Sequence, residues 1–121
     1  MKKFLFCILF VFSLAAQAQI DFSRQYSNGK ALYRDGKYAL AMETFKPLTV
    51  YDKNNQYSAY ASFYYALAAY HQRFNAVAKD MLTQIKSLHP QWDKTAEVNF
   101  WLGKILFENK DYFQAMKMLS L

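Results

Sequence analysis

The sequence predicts an all-α protein built as a right-handed solenoid of about three helix-turn-helix repeats. Of its 121 residues, 54% are hydrophobic and 19% aromatic, which is enough to form a core. Only 3 Gly and 2 Pro occur, too few turn formers for a many-stranded β-protein. Special residue types also recur at a spacing of 37 residues, which is typical of stacked helical repeats.

The N-terminus reads as a secretory signal peptide. A basic start that includes Lys2 and Lys3 precedes an apolar run from Phe4 to Ala16, and Ala16-Gln17-Ala18 supplies small residues for cleavage. We expect residues 1–18 to be removed. An uncleaved anchor is the lesser alternative, because a run of about 13 residues is shorter than the roughly 20 that span a bilayer.

Cleavage would change the chemistry available to the chain. Cys7, the only cysteine, lies inside the apolar run, so the mature chain has no thiol for a disulfide or a metal site. Loss of Lys2 and Lys3 lowers the formal net charge from +6 to +4. This mild excess does not indicate a nucleic-acid partner.

Repeat columns emerge when the sequence is aligned with itself at an offset of 37 residues. Two columns hold small residues, which we expect where paired helices cross most closely, and another holds bulky apolar residues that fill the space between helices. The small columns are Gly29, Ala66, Gly103 and Ala41, Ala78, Ala115, and the bulky column is Phe45, Leu82, Leu119. Tyr38 and Tyr112 form a further column, from which the middle copy departs with Asn75.

Apolar residues within each repeat follow helical rather than alternating spacing, so each repeat is predicted to be a helix, a turn and a second helix. The predicted helices span 22–35, 38–51, 58–72, 75–88, 95–109 and 112–121. Pro47 should kink or end the second helix near Phe45-Lys46, because its ring clashes with the preceding turn. Ser58 and Thr95 are expected to cap the helices that follow them.

The motif Leu102-Gly103, followed by Asp111-Tyr112 and Ala115, resembles the tetratricopeptide repeat consensus. Gly29, Tyr38, Ala41 and Phe45 repeat it in the first copy, and Ala66, Ala78, Leu82, Ile85 and Pro90 match it in the middle copy. The resemblance covers residues 22–121 and implies repeats at about 22–58, 59–95 and 96–121, the last incomplete, within a domain of residues 19–121. The period is 37 where the family usually has about 34. Such lengthened repeats are similar to those of bacterial envelope proteins, including the outer-membrane assembly lipoproteins.

The resemblance implies that the first helix of each pair lines a concave face that binds polypeptides. The expected groove columns are Tyr26, Phe63, Phe100; Tyr33, Tyr70, Phe107; and Lys30, Leu67, Lys104. Aromatic rings offer large contact area at low entropic cost, and lysines can meet carboxylates, so the groove suits a peptide. The alternative is that these rings pack between helices, and Tyr60, Tyr64 and Tyr65 could equally serve in packing.

Signs of catalysis or of a cofactor are absent from the sequence. His71 and His89 are the only histidines, they lack acidic neighbours at metal-ligand spacing, and we expect both on the solvated surface. No phosphate-binding loop or catalytic triad is recognisable. We therefore predict a binding protein without a metal or cofactor, and not an enzyme.

Two functional hypotheses remain open. The first is an exported interaction scaffold or adaptor in the periplasm or at the outer-membrane periphery of a bacterium, with a protein or peptide as partner. The alternative is an N-terminal docking module of a longer secreted protein whose activity lies downstream of residue 121. Leu119 and Leu121 are expected to be partly exposed, which would allow self-association through this end. Peripheral membrane binding is a lesser hypothesis, because no helix has a clean basic face.

Overall fold

The computed structural model describes residues 21–121, which form six α-helices and one 3₁₀ turn without any strand in this range. The helices are α1 (Phe22–Arg34), α2 (Tyr38–Phe45), α3 (Ser58–His71), α4 (Asn75–Leu88), α5 (Thr95–Glu108) and α6 (Tyr112–Leu119). The all-α prediction is confirmed for this part of the chain. The predicted signal peptide, including Cys7, lies outside the described residues.

The second helix ends where Pro47 predicts it should. α2 stops at Phe45, and the chain continues as a 3₁₀ turn over Lys46–Leu48, with Pro47 near its start. Asn55 then fixes the exit of this turn, because its buried amide donates to the carbonyls of Leu48 at 2.7 Å and Val50 at 3.3 Å. The early end and the side-chain bonds together redirect the chain toward α3.

The expected caps at Ser58 and Thr95 are wrong. The N-cap residues are Tyr57 and Lys94, so both hydroxyls belong to the first helical residue. From there each hydroxyl points back to the preceding loop: Ser58 donates to Thr49 O at 3.2 Å and Thr95 to Trp92 O at 2.6 Å. Carboxylates cap two other helices: Asp21 accepts from Arg24 N and Asp111 from Gln114 N.

The turn inside each helix pair has the same geometry three times. In each turn an amide donates to the carbonyl five residues earlier at 2.9 Å, a bond that closes a helix C-terminus. The donor and acceptor are Lys37 and Leu32, Phe74 and Ala69, and Asp111 and Leu106. The residue before each donor has a positive φ: 76° at Gly36, 66° at Arg73 and 65° at Lys110. The 37-residue spacing is therefore repeated in the backbone.

Small residues meet bulky ones where the helices of a pair cross. A Cβ atom added to Gly29 would lie 2.5 Å from Phe45 Cε1, and one added to Gly103 would lie 2.6 Å from Leu119 Cγ. Both distances are too short for real contacts, so glycine permits the close approach of α1 to α2 and of α5 to α6. Ala66 and Leu82, the equivalent residues of the middle pair, are both fully buried.

The core runs through the chain because each helix packs against the next one. One cluster, formed by Ala41, Phe45, Leu48, Ala61 and Ala68, joins α2 to α3, and a second cluster joins α3, α4 and α5. The buried alanines of the repeat columns are Ala41, Ala66, Ala78 and Ala115, whereas Pro90 and Tyr112 are exposed. Leu119 and Leu121 are exposed as expected. Among the described residues, no helix combines the length and apolar character that crossing a bilayer requires.

Candidate functional site

The nine residues of the expected groove divide into three groups. Tyr26, Tyr33 and Tyr70 are half-buried, and a second group of four is exposed: Lys30, Phe100, Lys104 and Phe107. Phe63 and Leu67 are only 7% and 5% exposed and lie in the core. These two cannot line a groove.

The burial of Phe63 and Leu67 follows from the position of α3 in the middle of the chain. α3 packs against α1, α2, the 3₁₀ turn and α4, whereas α5 packs mainly against α4 and α6. More of the circumference of α3 is therefore covered. Phe63 also meets the Trp92 ring, with 5.8 Å between centroids. Tyr64, which follows Phe63 directly in α3, lies nearer the surface than either residue.

Aromatic rings form a continuous path from α1 across α3 to α5. Tyr64 lies between Tyr26 and Tyr33, with centroid distances of 6.4 Å and 5.3 Å. The path continues from Tyr33 to His71 at 5.8 Å and from His71 to Trp101 at 6.4 Å. All four contacts are tilted or edge-to-face, the arrangements that aromatic quadrupoles favour.

Two lysines lie over this path, one near each end. Lys30 Nζ is 5.7 Å from the Tyr26 ring centre and 5.5 Å from that of Tyr64. Lys104 Nζ is 5.5 Å from the ring centre of Tyr70 and 5.2 Å from that of Trp101. Such contacts orient an ammonium group and leave its outer side open to an anion. We call the surface formed by Tyr26, Lys30, Tyr33, Tyr64, Tyr70, His71, Trp101 and Lys104 the aromatic face.

Hydrogen bonds tie the first helix of one pair to the first helix of the next. Tyr33 Oη lies 3.1 Å from His71 Nε2, and the Tyr70 hydroxyl donates to Glu108 Oε1 at 2.5 Å. Both bonds join residues 38 positions apart. The aromatic face is thus fixed twice by the same kind of contact, at two successive repeats.

Protonation equilibria reflect the crowding of these rings. Burial raises the pKa of Tyr26 to about 12, and the neighbouring phenols Tyr64, Tyr60 and Tyr57 add to the effect. Burial, followed by the hydrogen bond to Glu108 and its charge, raises the pKa of Tyr70 to about 12. The phenols therefore stay neutral at physiological pH and act as hydrogen-bonding groups.

His71 is exposed at its edge, but its ring is stacked on Tyr38 with 4.5 Å between centroids and an interplanar angle of 17°. Loss of water around the ring lowers the pKa of His71 below its ordinary 6.5, and the positive charge of Lys104 lowers it further. The imidazole is therefore neutral at pH 7 and can share a hydrogen bond with Tyr33.

Two open depressions accompany the aromatic face. The first, of about 540 Å³, is lined by Ser27, Lys30, Tyr33, Arg34 and Tyr64. The second, of about 390 Å³, is lined by Tyr70, His71, Arg73, Asn75 and Glu108. Each combines aromatic walls with at least one cationic side chain. In residues 21–121 no three histidine, cysteine, aspartate or glutamate side chains lie close enough together to hold a metal ion.

Tyr64, His71 and Trp101 belong to this surface but are not among the groove residues predicted from the sequence. Tyr64 and Trp101 occupy one column of the 37-residue repeat, and His71 and Glu108 occupy another. Comparison of these columns could have found all three residues. No family model and no curated protein sequence matches the chain.

Proposed function

We propose that this protein binds polypeptides through the aromatic face and acts as an interaction scaffold of the tetratricopeptide type. In this proposal the helix pairs stack as a right-handed solenoid whose inner wall is formed by α1, α3 and α5. The threefold recurrence of the same inter-helix turn supports the repeat assignment. The basic and apolar N-terminal segment supports export to the bacterial envelope.

The observation that carries the proposal is the placement of Lys30 and Lys104 over partly exposed rings. Each ammonium group lies over two aromatic rings, one on its own helix and one on α3. This arrangement presents apolar contact area beside a cation, which matches a peptide carrying both acidic and apolar or aromatic residues. The depressions beside Lys30 and His71 provide room for such side chains.

Selection from a library of short random peptides tests the proposal directly. Peptides are selected on the wild-type protein and then measured against the Lys30→Glu/Lys104→Glu variant. We expect the enriched peptides to contain acidic residues next to aromatic or apolar ones. Their binding should weaken by about tenfold or more in the double variant.

Lys79→Glu/Lys117→Glu is the matched control, because it makes the same charge change on exposed residues of α4 and α6. Circular dichroism verifies that both double variants keep their helix content. Equal loss of binding in the two variants would indicate a general charge effect. Unchanged binding in the Lys30/Lys104 variant would show that the binding surface lies elsewhere.

A further inference from the structure

The aromatic face changes in charge along its length. One column of the 37-residue repeat holds Arg34, His71 and Glu108, which are the last residues of α1, α3 and α5. All three residues are exposed. Loss of water around the ring and the charge of Lys104 lower the pKa of His71, so the imidazole is neutral at pH 7. The column therefore runs from a cation through a neutral ring to a carboxylate.

The cationic end of this column lies in the first depression. Lys30 and Arg34 are four residues apart on α1 and line the depression together with Ser27, Tyr33 and Tyr64. Like charges at this helical spacing repel each other. A carboxylate bound between them would relieve the repulsion and accept charge-assisted hydrogen bonds. All five lining side chains are neutral or cationic, so none of them competes with an acidic ligand for the two cations.

The anionic end of the column lies in the second depression. The Glu108 carboxylate is held in place there, because the Tyr70 hydroxyl donates to its Oε1 at 2.5 Å and Asn75 Nδ2 lies 3.4 Å from its Oε2. An ionised carboxylate has about four acceptor positions. Glu108 can therefore accept further hydrogen bonds from a ligand without giving up these two partners.

Two cations lie near this carboxylate. Lys104 precedes Glu108 by one turn of α5, and its ammonium group lies over the Tyr70 and Trp101 rings. Arg73 lines the second depression from the inter-helix turn. An acidic ligand group in this depression would meet these cations but also the fixed charge of Glu108, so its net attraction is smaller than in the first depression. A neutral hydrogen-bond donor avoids that repulsion and gains the contact with Glu108.

We propose that the aromatic face orders its polypeptide ligand by charge. The first depression takes an acidic side chain between Lys30 and Arg34, and the second takes a side chain that donates hydrogen bonds to Glu108. The apolar residues of the ligand then lie between the two depressions, over the rings from Tyr33 to Trp101. This inference rests on the proposed polypeptide binding and adds to it the placement of the ligand along the face.

Two peptides with blocked ends test this order: acetyl-Asp-Asp-Leu-Tyr-Leu-Gln-Gln-amide and acetyl-Asp-Asp-Leu-Tyr-Leu-Asp-Asp-amide. They share an acidic end and an apolar centre and differ only at the other end. Calorimetric titration into the full chain at about 0.15 M salt, which screens distant charges, measures both affinities. We expect the glutamine peptide to bind about two- to fivefold more tightly than the all-acidic one. Tighter binding of the all-acidic peptide overturns the proposal.

Single substitutions test each depression separately. Glu108→Gln should reverse the preference, because Lys104 and Arg73 then attract the second acidic end without an opposing carboxylate. Asp80→Asn is the control, since it makes the same charge change on an exposed residue of α4 and should keep the preference. Arg34→Gln should weaken both peptides by about two- to fivefold. A preference that survives Glu108→Gln, or affinities that Arg34→Gln leaves unchanged, overturns the assignment of the two depressions.

A nitroxide on the acidic end of the glutamine peptide reports where that end lies. The amide signals of Ser27 and Arg34 should broaden more than that of Glu108, and a nitroxide on the glutamine end should give the opposite pattern. Equal broadening at both places, or the reversed pattern, contradicts the proposed order. Absence of binding by either peptide would count against polypeptide binding at the aromatic face itself. Binding of both peptides without the expected preference would count against the charge order alone.

Discussion

The Tyr70 hydroxyl donates a 2.5 Å hydrogen bond to Glu108 Oε1, just as the Tyr33 hydroxyl meets His71 Nε2 at 3.1 Å one repeat earlier. The partner changes from an imidazole to a carboxylate, and in both cases the phenol comes from the preceding first helix. The contact thus connects α3 to α5 as it connects α1 to α3. Its recurrence shows that the repeat organises side chains as well as the backbone.

Tyr70→Phe should lower the free energy of unfolding by about 1 kcal/mol, the usual net contribution of one such hydrogen bond. The bond lies at the surface, so solvent limits its strength even though its acceptor is charged. A phenylalanine fits this column, because Phe107 occupies it in the third pair. Urea unfolding measures the change. A double-mutant cycle that adds Glu108→Gln and the variant with both substitutions isolates the interaction between the two side chains. Additive losses would show that the two residues do not interact.

Gly29→Ala should destabilise the protein by about 1–3 kcal/mol, because the added methyl group overlaps the fully buried Phe45 ring. Gly103→Ala should be close to neutral. Its methyl group meets the half-exposed Leu119 side chain, which can rotate away, and alanine favours the helix by about 1 kcal/mol. Thermal unfolding of both variants provides the comparison. Equal destabilisation would contradict the difference in packing described here.

Arg73→Gly should stabilise the protein by about 1 kcal/mol, since φ at this residue is 66° and glycine adopts that region without steric cost. Lys110→Gly should behave in the same way at the third turn, where φ is 65°. Gly36→Ala is the inverse control and should destabilise the first turn, although no atom lies within 4 Å of the added methyl group. A stabilising Gly36→Ala would be inconsistent with this backbone geometry.

His71 should titrate below 6.5 in the folded protein. Because the unfolded chain then binds a proton more readily, the free energy of unfolding should be highest above pH 6.5. It should fall as the pH decreases through the folded pKa and level off below that value. NMR titration of the imidazole gives the pKa directly.

Lys104→Met should raise the pKa of His71 part of the way towards its ordinary 6.5. The return is incomplete because burial of the ring remains after the charge is removed. Lys79→Met, on α4, should leave it unchanged. A His71 pKa at or above 6.5 in the wild type would show that the stacked ring is better hydrated than its contacts with Tyr38 and Trp101 indicate.

Helix order and helix starts could be predicted from the sequence because they depend on local spacing. The apolar spacing extended the second helix to residue 51, whereas α2 ends at Phe45, just before Pro47. The 37-residue offset also identified Gly29 and Gly103 as sites of close approach. The rotation of each helix was harder to predict. Phe63 and Tyr64 are adjacent in sequence, and only the placement of α2 and α4 around α3 decides which ring is buried.

Phe100 shows why a repeat column does not guarantee a shared environment. It aligns with the buried Phe63, yet it is 53% exposed because α5 has fewer covering neighbours than α3. The caps at Ser58 and Thr95 were misplaced for a related reason. A shift of one residue moves a hydroxyl from the N-cap to the first helical position, where it reaches a loop carbonyl instead of a free amide.

Packing of each helix mainly on its sequence neighbours has a consequence for how the chain folds. Contacts between segments close in sequence require only short loops to close, which favours rapid folding one helix pair at a time. Local unfolding should begin at α6, which packs mainly on α5, whereas α3 packs against helices on both sides. Amide protons of α6 should therefore exchange with solvent before those of α3, and the last to exchange should mark the pair from which folding proceeds.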